Sequence, residues 1–182
     1  MSDDKTNKPL GGRGYGSIGH LRGSRLGPGD HHINEGQERQ LTEKANDRRD
    51  VVIVQEKVDG SNVCVARLGG QLVPITRHGY RASEGTYLQQ RMFHEWAIAP
   101  AQAARFSMLE EGERLVGEWM IQACGTIYAL RHEPFVAFDL MRGAVRLPVD
   151  VFLARLDGRF TVPHELHRGD PLSVAAADAA LG

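Results

Sequence analysis

Apolar residues come in short runs along this chain, and the runs change period. Val51-Val52-Ile53-Val54 is a β-branched block that reads as a buried strand over 51–57. Residues 62–68 (Asn-Val-Cys-Val-Ala-Arg-Leu) alternate, Gly69-Gly70 fits a hairpin turn, and 71–77 supplies a third strand. The spacing predicts an antiparallel meander in which 62–68 pairs with 51–57. The period then lengthens. Tyr87, Leu88, Met92, Phe93 and Trp96 lie at near-helical spacing over 86–98, Pro100 interrupts, and 101–111 suits a short alanine-rich helix. Residues 113–119 and 134–141 read as two more strands, and 148–156 as a helix with proline near its start. Asp170-Pro171 opens a last alanine-rich helix. Strands and helices mix without a βαβ rhythm and nothing repeats, so the predicted class is α+β.

Residues 1–48 contrast with this. They are polar and glycine-rich, with few recurring apolar positions, which predicts a loop-rich arm whose first ten residues are mobile. Folded structure is expected from about Arg49. Gly11 to Gly16 is a weak phosphate loop, because no Gly-Lys-Ser/Thr follows and no strand precedes it.

Composition narrows the function classes. The 182 residues are 41% hydrophobic and 25% charged, as in an ordinary globular protein with one core. A formal net charge of −1 excludes a global basic field, so a polyanion site must be a local arginine cluster. Cys64 and Cys124 are too few for a disulfide framework and lack zinc-site spacing, which suggests reduced thiols in a cytoplasm. Cys64 alternates within its strand as a small core residue. No apolar run reaches the roughly 20 residues that span a bilayer. His31-His32, His164 and His167 lack the spacing of metal ligands, and solvated or capping roles suit them better.

Of 22 basic residues only Lys5, Lys8, Lys44 and Lys57 are lysines, and nothing after Lys57 is. Arginine replaces lysine wherever a solvated charge suffices, but not where an amine must lose its proton and attack. Lys57 ends a predicted strand and precedes an Asp-Gly turn, which sets an amine at a sheet's rim. A surface lysine beside a hairpin is the plainer alternative.

Three strings then occur in order: Glu56-Lys57-Val58-Asp59-Gly60-Ser61-Asn62, Val116-Gly117-Glu118-Trp119, and Phe135-Val136-Ala137-Phe138-Asp139-Leu140. Together they resemble motifs I, III and IIIa of the covalent nucleotidyltransferases, the superfamily of ATP-dependent ligases and capping enzymes. Asn62, where DNA ligases and capping enzymes usually carry arginine, points to the RNA ligase 2-type branch and away from a capping guanylyltransferase. His20-Leu21-Arg22-Gly23-Ser24-Arg25 with Gly29-Asp30 looks like the segment ahead of motif I in some bacterial RNA ligases of this branch.

The resemblance implies a nucleotidyltransferase fold of antiparallel sheets flanked by helices, with 49–182 as part of an adenylation domain behind the arm. It also implies roles. Lys57 would attack the α-phosphorus of ATP, and Asp59 would act near a magnesium ion and its water. Glu56 would help place the adenine through its backbone, and Asn62 would contact phosphate or the reacting end. Arg77 would hold nucleotide or nucleic acid, Glu118 the ribose hydroxyls, and Phe138 would stack on adenine with Asp139 beside it. The substrates would be ATP and RNA ends, in nicked or duplex RNA, as in RNA repair. No protein partner and no membrane are implied.

The residues leave alternatives open. Glu118 could be a structural carboxylate paired to arginine, Phe138 could pack in the core, and Arg77 could be a solvated charge. Phe93, Trp96, Trp119 and Phe135 read as core. After Asp139 nothing matches the family's motifs IV and V, so the expectation is a fragment or a shortened protein with one wall of the nucleotide pocket intact and the other open. An inert module that binds nucleotide or RNA without chemistry is the second hypothesis.

Overall fold

The computed structural model describes residues 8–27, 29–121 and 129–181. Its strands are β1 (Gly19–His20), β2 (His31–His32), β3 (Val52–Gln55), β4 (Ser61–Leu68), β5 (Gln71–Thr76), β6 (Glu113–Trp119), β7 (Phe135–Arg142), β8 (Val145–Arg146) and β9 (Glu165–Gly169). Its α-helices are α1 (Glu35–Thr42), α2 (Leu88–Ile98), α3 (Pro100–Arg105), α4 (Val149–Leu156) and α5 (Val174–Ala180). The class is α+β, as expected. Two compact units form, one from Met1–Gly16 with Val58–Val162, the other from Ser17–Lys57 with Pro163–Gly182.

The first unit is built on a five-stranded antiparallel sheet in the order β5-β4-β6-β7-β8. Gly69 and Gly70 close the β4–β5 hairpin at φ 58° and 75°, the left-handed values that match the twist of the flanking strands. Their N–H groups donate to the Glu111 carboxylate at 2.6 and 3.0 Å. Alternation then sorts each strand between two faces. One face buries Val63, Val65, Leu115, Trp119, Phe135 and Leu140 beneath Phe93, Ala97, Phe106, Phe152 and Leu156. Phe93, Trp96, Trp119 and Phe135 are core here, as expected from the sequence. Gly117 is required at this contact, since a Cβ would stand 2.5 Å from the Phe135 ring and 2.6 Å from the Val136 carbonyl oxygen.

The opposite face carries a smaller cluster of Tyr15, Cys64, Ala66, Val73, Ile75, Val116 and Met141, with Leu10 packed against it. Burial pushes the Cys64 thiol up to about 12, which fits an inert core residue. Folded structure therefore begins well before Arg49, and residues 8–10 are packed, with the Lys8 ammonium over the Tyr80 ring. Residues 1–7, Pro28 and Cys124 lie outside the described residues.

The meander expected from the sequence is corrected. Both edges of β4 are taken, by β5 and β6, so β3 cannot join it. Strand β3 pairs instead with β9, Val52 opposite Gly169 and Ile53 opposite Arg168, in the second unit. That unit also holds a short parallel pair, β1 with β2, and helices α1 and α5. The helix expected over 101–111 is α3 followed by a single tighter turn at Phe106–Met108. The last helix starts at Val174, capped by the Ser173 hydroxyl, rather than at Asp170-Pro171.

Candidate functional site

Register decides which motif residues share a face. Asn62 stands opposite Glu118 and Cys64 opposite Val116, so Asn62 and Glu118 project on the side of the smaller cluster. On the next strand Val116 pairs with Asp139 and Gly117 with Ala137, which leaves Phe138 as the extra residue of a β-bulge. A regular strand would send Phe138 and Asp139 to opposite faces. The bulge brings both to the same one, and it bends the strand where they sit. Arg77 follows directly on β5, and its N–H donates to the Asn62 carbonyl at 3.1 Å. Asn62, Arg77, Glu118, Phe138 and Asp139 are thereby gathered on one side of the sheet in the first unit.

Asp59 lies in the loop ahead of β4, and Gly60 pins that loop. The Gly60 N–H donates to Glu118 Oε1 at 3.1 Å. A Cβ on Gly60 would meet the Trp119 carbonyl oxygen at 2.5 Å, so only glycine lets the turn lie this close to β6. The Asp-Gly turn is thus fastened to the strand that carries Glu118.

A cavity of about 180 Å³ is lined by Ser61, Asn62, Val63, Thr76, Arg77, His78 and Gln90. It suits a phosphate or a sugar rather than a whole nucleotide, since pockets for small molecules run from about 300 Å³ upward. Asn62 Oδ1 is buried without a hydrogen-bond partner among the described residues. A buried polar oxygen left in this state is costly, and a bound donor group would relieve it.

Beyond Glu118 the face is closed by residues that the sequence reading passed over. The Tyr15 hydroxyl donates to Asp139 Oδ2 at 2.6 Å, and its ring meets Phe138 edge to face at 5.4 Å between centroids. Arg146 approaches the same Oδ2 at 3.4 Å and lies over the Tyr15 ring. Burial pushes the Asp139 carboxyl up, with Tyr15, Arg146 and Arg114 pulling the other way. Burial and Asp139 both push the Tyr15 hydroxyl up. The only signal for Tyr15 in the sequence is a lone aromatic among glycines.

Glu56 and Lys57 lie in the second unit. The pairing of β3 continues one step past the strand, where the Glu56 N–H donates to the His164 carbonyl at 2.9 Å. Lys57 is the next residue, and its side chain is exposed. The chain passes from the second unit to the first between Lys57 and Val58. His167 and His20 have neighbours of their own, the Asp170 carbonyl at 2.8 Å and Asp30 at 3.6 Å.

Comparison with known proteins gives a consistent picture. The profile of the RNA ligase family matches residues 50–180. An archaeal ATP-dependent RNA ligase structure aligns with 72% of this chain and 34% of its own, at 22% identity and a TM-score of 0.51. A Naegleria gruberi RNA ligase variant with ATP and Mn aligns with 79% and 42%, at 16% identity and a TM-score of 0.55. At such identities the likeness is one of fold. The chain spans well under half the length of these solved ligases. No curated protein matches the chain in sequence.

Proposed function

Because the chain belongs to the RNA ligase family, we propose that it is the adenylyl-transferring part of an ATP-dependent RNA ligase, with residues 49–182 forming part of the adenylation domain. One observation carries this reading: Asn62, Glu118, Phe138 and Asp139, from three separate motif strings, share one face of one sheet. An arbitrary set of four residues on adjacent strands has no reason to combine a carboxylate, a half-buried aromatic and a buried unpartnered amide oxygen there.

The donor set fits a nucleotide. Glu118 offers carboxylate oxygens to ribose hydroxyls while Gly60 fixes its position. Phe138 offers a ring face to adenine, and base–aromatic stacking is worth roughly 1–3 kcal/mol. Arg77 and Asn62 line the small cavity and suit a phosphate or the reacting end of an RNA strand. Magnesium would arrive on the triphosphate, with the Asp59 carboxylate near it and its water, since this ion is commonly bound through one or two carboxylates plus substrate phosphates. When bound, it would neutralise the triphosphate.

Lys57 is the nucleophile in this reading. Its unprotonated Nζ attacks the α-phosphorus, a P–N bond forms, and the α–β bridging P–O bond breaks. Pyrophosphate leaves with the bonding electrons, and the amine's second proton passes to solvent. The lysyl-adenylate then passes AMP to an RNA 5′-phosphate. Attack by a 3′-hydroxyl on that 5′-adenylate joins nicked or duplex RNA ends and releases AMP, as in RNA repair in a cytoplasm.

The test uses ATP labelled at the α-phosphate with magnesium. Label that survives denaturation, is released by acid and is lost in Lys57→Ala supports the reading. ATP binding without transfer would reduce the protein to a binding module, and transfer from GTP alone would make it a capping enzyme.

A further inference from the structure

We propose that Tyr15 is a positioning residue of the nucleotide site, holding the Phe138 ring and the Asp139 carboxylate in place for a purine base. The inference rests on the ligase reading of that face. Phe138 is the extra residue of the β7 bulge, so no cross-strand partner fixes it by register. Tyr15 supplies what the pairing does not. Its ring meets Phe138 at 5.4 Å and 77°, and its hydroxyl holds Asp139 Oδ2 at 2.6 Å. A single edge-to-face contact takes at most one face of the Phe138 ring, and in this proposal the base stacks on the other.

Tyr15 is itself held from both sides. The Arg146 guanidinium lies 4.9 Å from its ring centroid and 3.4 Å from the carboxylate it binds. The preceding residue, Gly14, donates its N–H to the Arg77 carbonyl at 2.9 Å and accepts from Arg114 Nε at 2.9 Å. A Cβ on Gly14 would stand 2.5 Å from the Thr76 carbonyl oxygen, and one on Gly79 would stand 1.8 Å from that of Gly12. Residues 12–15 therefore form a strap seated on the sheet. Its Gly14 and Tyr15 N–H groups both donate to the Arg77 carbonyl after β5, at 2.9 and 3.4 Å, and the Tyr15 hydroxyl reaches Asp139 on β7, with β4 and β6 between those two strands. The strap gives the phosphate-side arginine and the base-side aromatic a common support.

The experiment separates base from phosphate. The whole chain carrying Lys57→Ala, which cannot turn over, is titrated at equilibrium with ATP and with inorganic tripolyphosphate at equal magnesium. Tyr15→Ala is expected to weaken ATP about tenfold, the scale of one lost aromatic contact plus a hydrogen bond, and to leave tripolyphosphate unchanged. Tyr15→Phe keeps the ring and the core volume, and is expected to weaken ATP alone by about threefold, the scale of one hydrogen bond. It decides the matter if the alanine variant does not fold. Equal ATP affinity in parent and Tyr15→Phe overturns the proposal. Parallel loss of both ligands overturns it too, since that is what general loosening of the fold would give, and so does a parent that binds no ATP. Label transfer to Lys57 in the unsubstituted chain is scored separately. Its absence sinks the ligase reading, while the contrast between the two ligands still decides the role of Tyr15.

Discussion

Asn62 and Glu118 stand directly opposite each other on β4 and β6, one from the string that contains Lys57 and the other from the string sixty residues on. Their side chains leave the sheet together, and the Gly60 N–H ties the loop ahead of Asn62 to the Glu118 carboxylate. A slip of β6 by one residue in this pairing would leave Asn62 in place and turn Glu118 to the aromatic core, so the large cluster on the other face also enforces the site.

A charge placed at Asn62 tests that opposition. Asn62→Asp sets like charges across the pair, and is expected to cost about 0.5–1 kcal/mol at neutral pH. The loss should vanish near pH 3, as the carboxylates take up protons. Urea denaturation at the two pH values, with Asn62→Ser as the neutral control, measures it.

Glu118→Gln keeps an oxygen for the Gly60 N–H but removes the charge. Thermal stability should move little. ATP affinity should fall about tenfold or more, because hydrogen bonds to charged groups are worth about 1.5–3 kcal/mol. Calorimetric titration with ATP, alongside a thermal melt, distinguishes this from a folding defect.

Gly117→Ala is expected to destabilise the first unit by about 1–3 kcal/mol, as overpacking of a filled core does. The methyl would meet the Phe135 ring and the Val136 carbonyl. Gly16→Ala, where nothing lies within 4 Å, should be near neutral. Denaturant midpoints for the two variants give the contrast.

Glu113 is buried on β6, with Arg155 Nη2 at 2.8 Å and Arg142 Nη2 at 2.9 Å. Burial pushes its carboxyl up, but Arg155, the Glu110 N–H and Arg142 outweigh burial and hold it below the usual carboxylate range. The folded state therefore releases this proton more readily than the unfolded chain does. The resulting stability is fully present above the unfolded value of about 4.3 and is lost as pH falls through the lower folded value. Glu113→Gln should flatten that acid limb in a stability-against-pH series.

Much of the fold could be read from the chain because its signals were local. The β4–β5 hairpin is written in an alternating run and a Gly-Gly turn, and the core aromatics of α2 in their spacing. The motif residues were legible as types, but their shared face was not, since the bulge at Phe138 comes from a mismatch with β6 that no single strand displays. Strand β9 was missed because Glu-Leu-His-Arg-Gly holds one apolar residue, too few for a period. Helix α1 has no buried face either, and only the Asn34–Gln37 capping pair marks its start. Tyr15 escaped notice because its partner, Asp139, is far away in sequence, and composition cannot show a contact of that range.

The strap over the sheet bears on where this protein can be cut. A boundary drawn near Arg49, where the polar, glycine-rich stretch gives way to the first apolar run, would discard Tyr15 and the backbone that Arg114 grips. Cys64, Ile75 and Val116 would then meet water, and a shortened chain should self-associate and be rapidly digested by proteases. Expression trials on this family member are best begun upstream of Leu10.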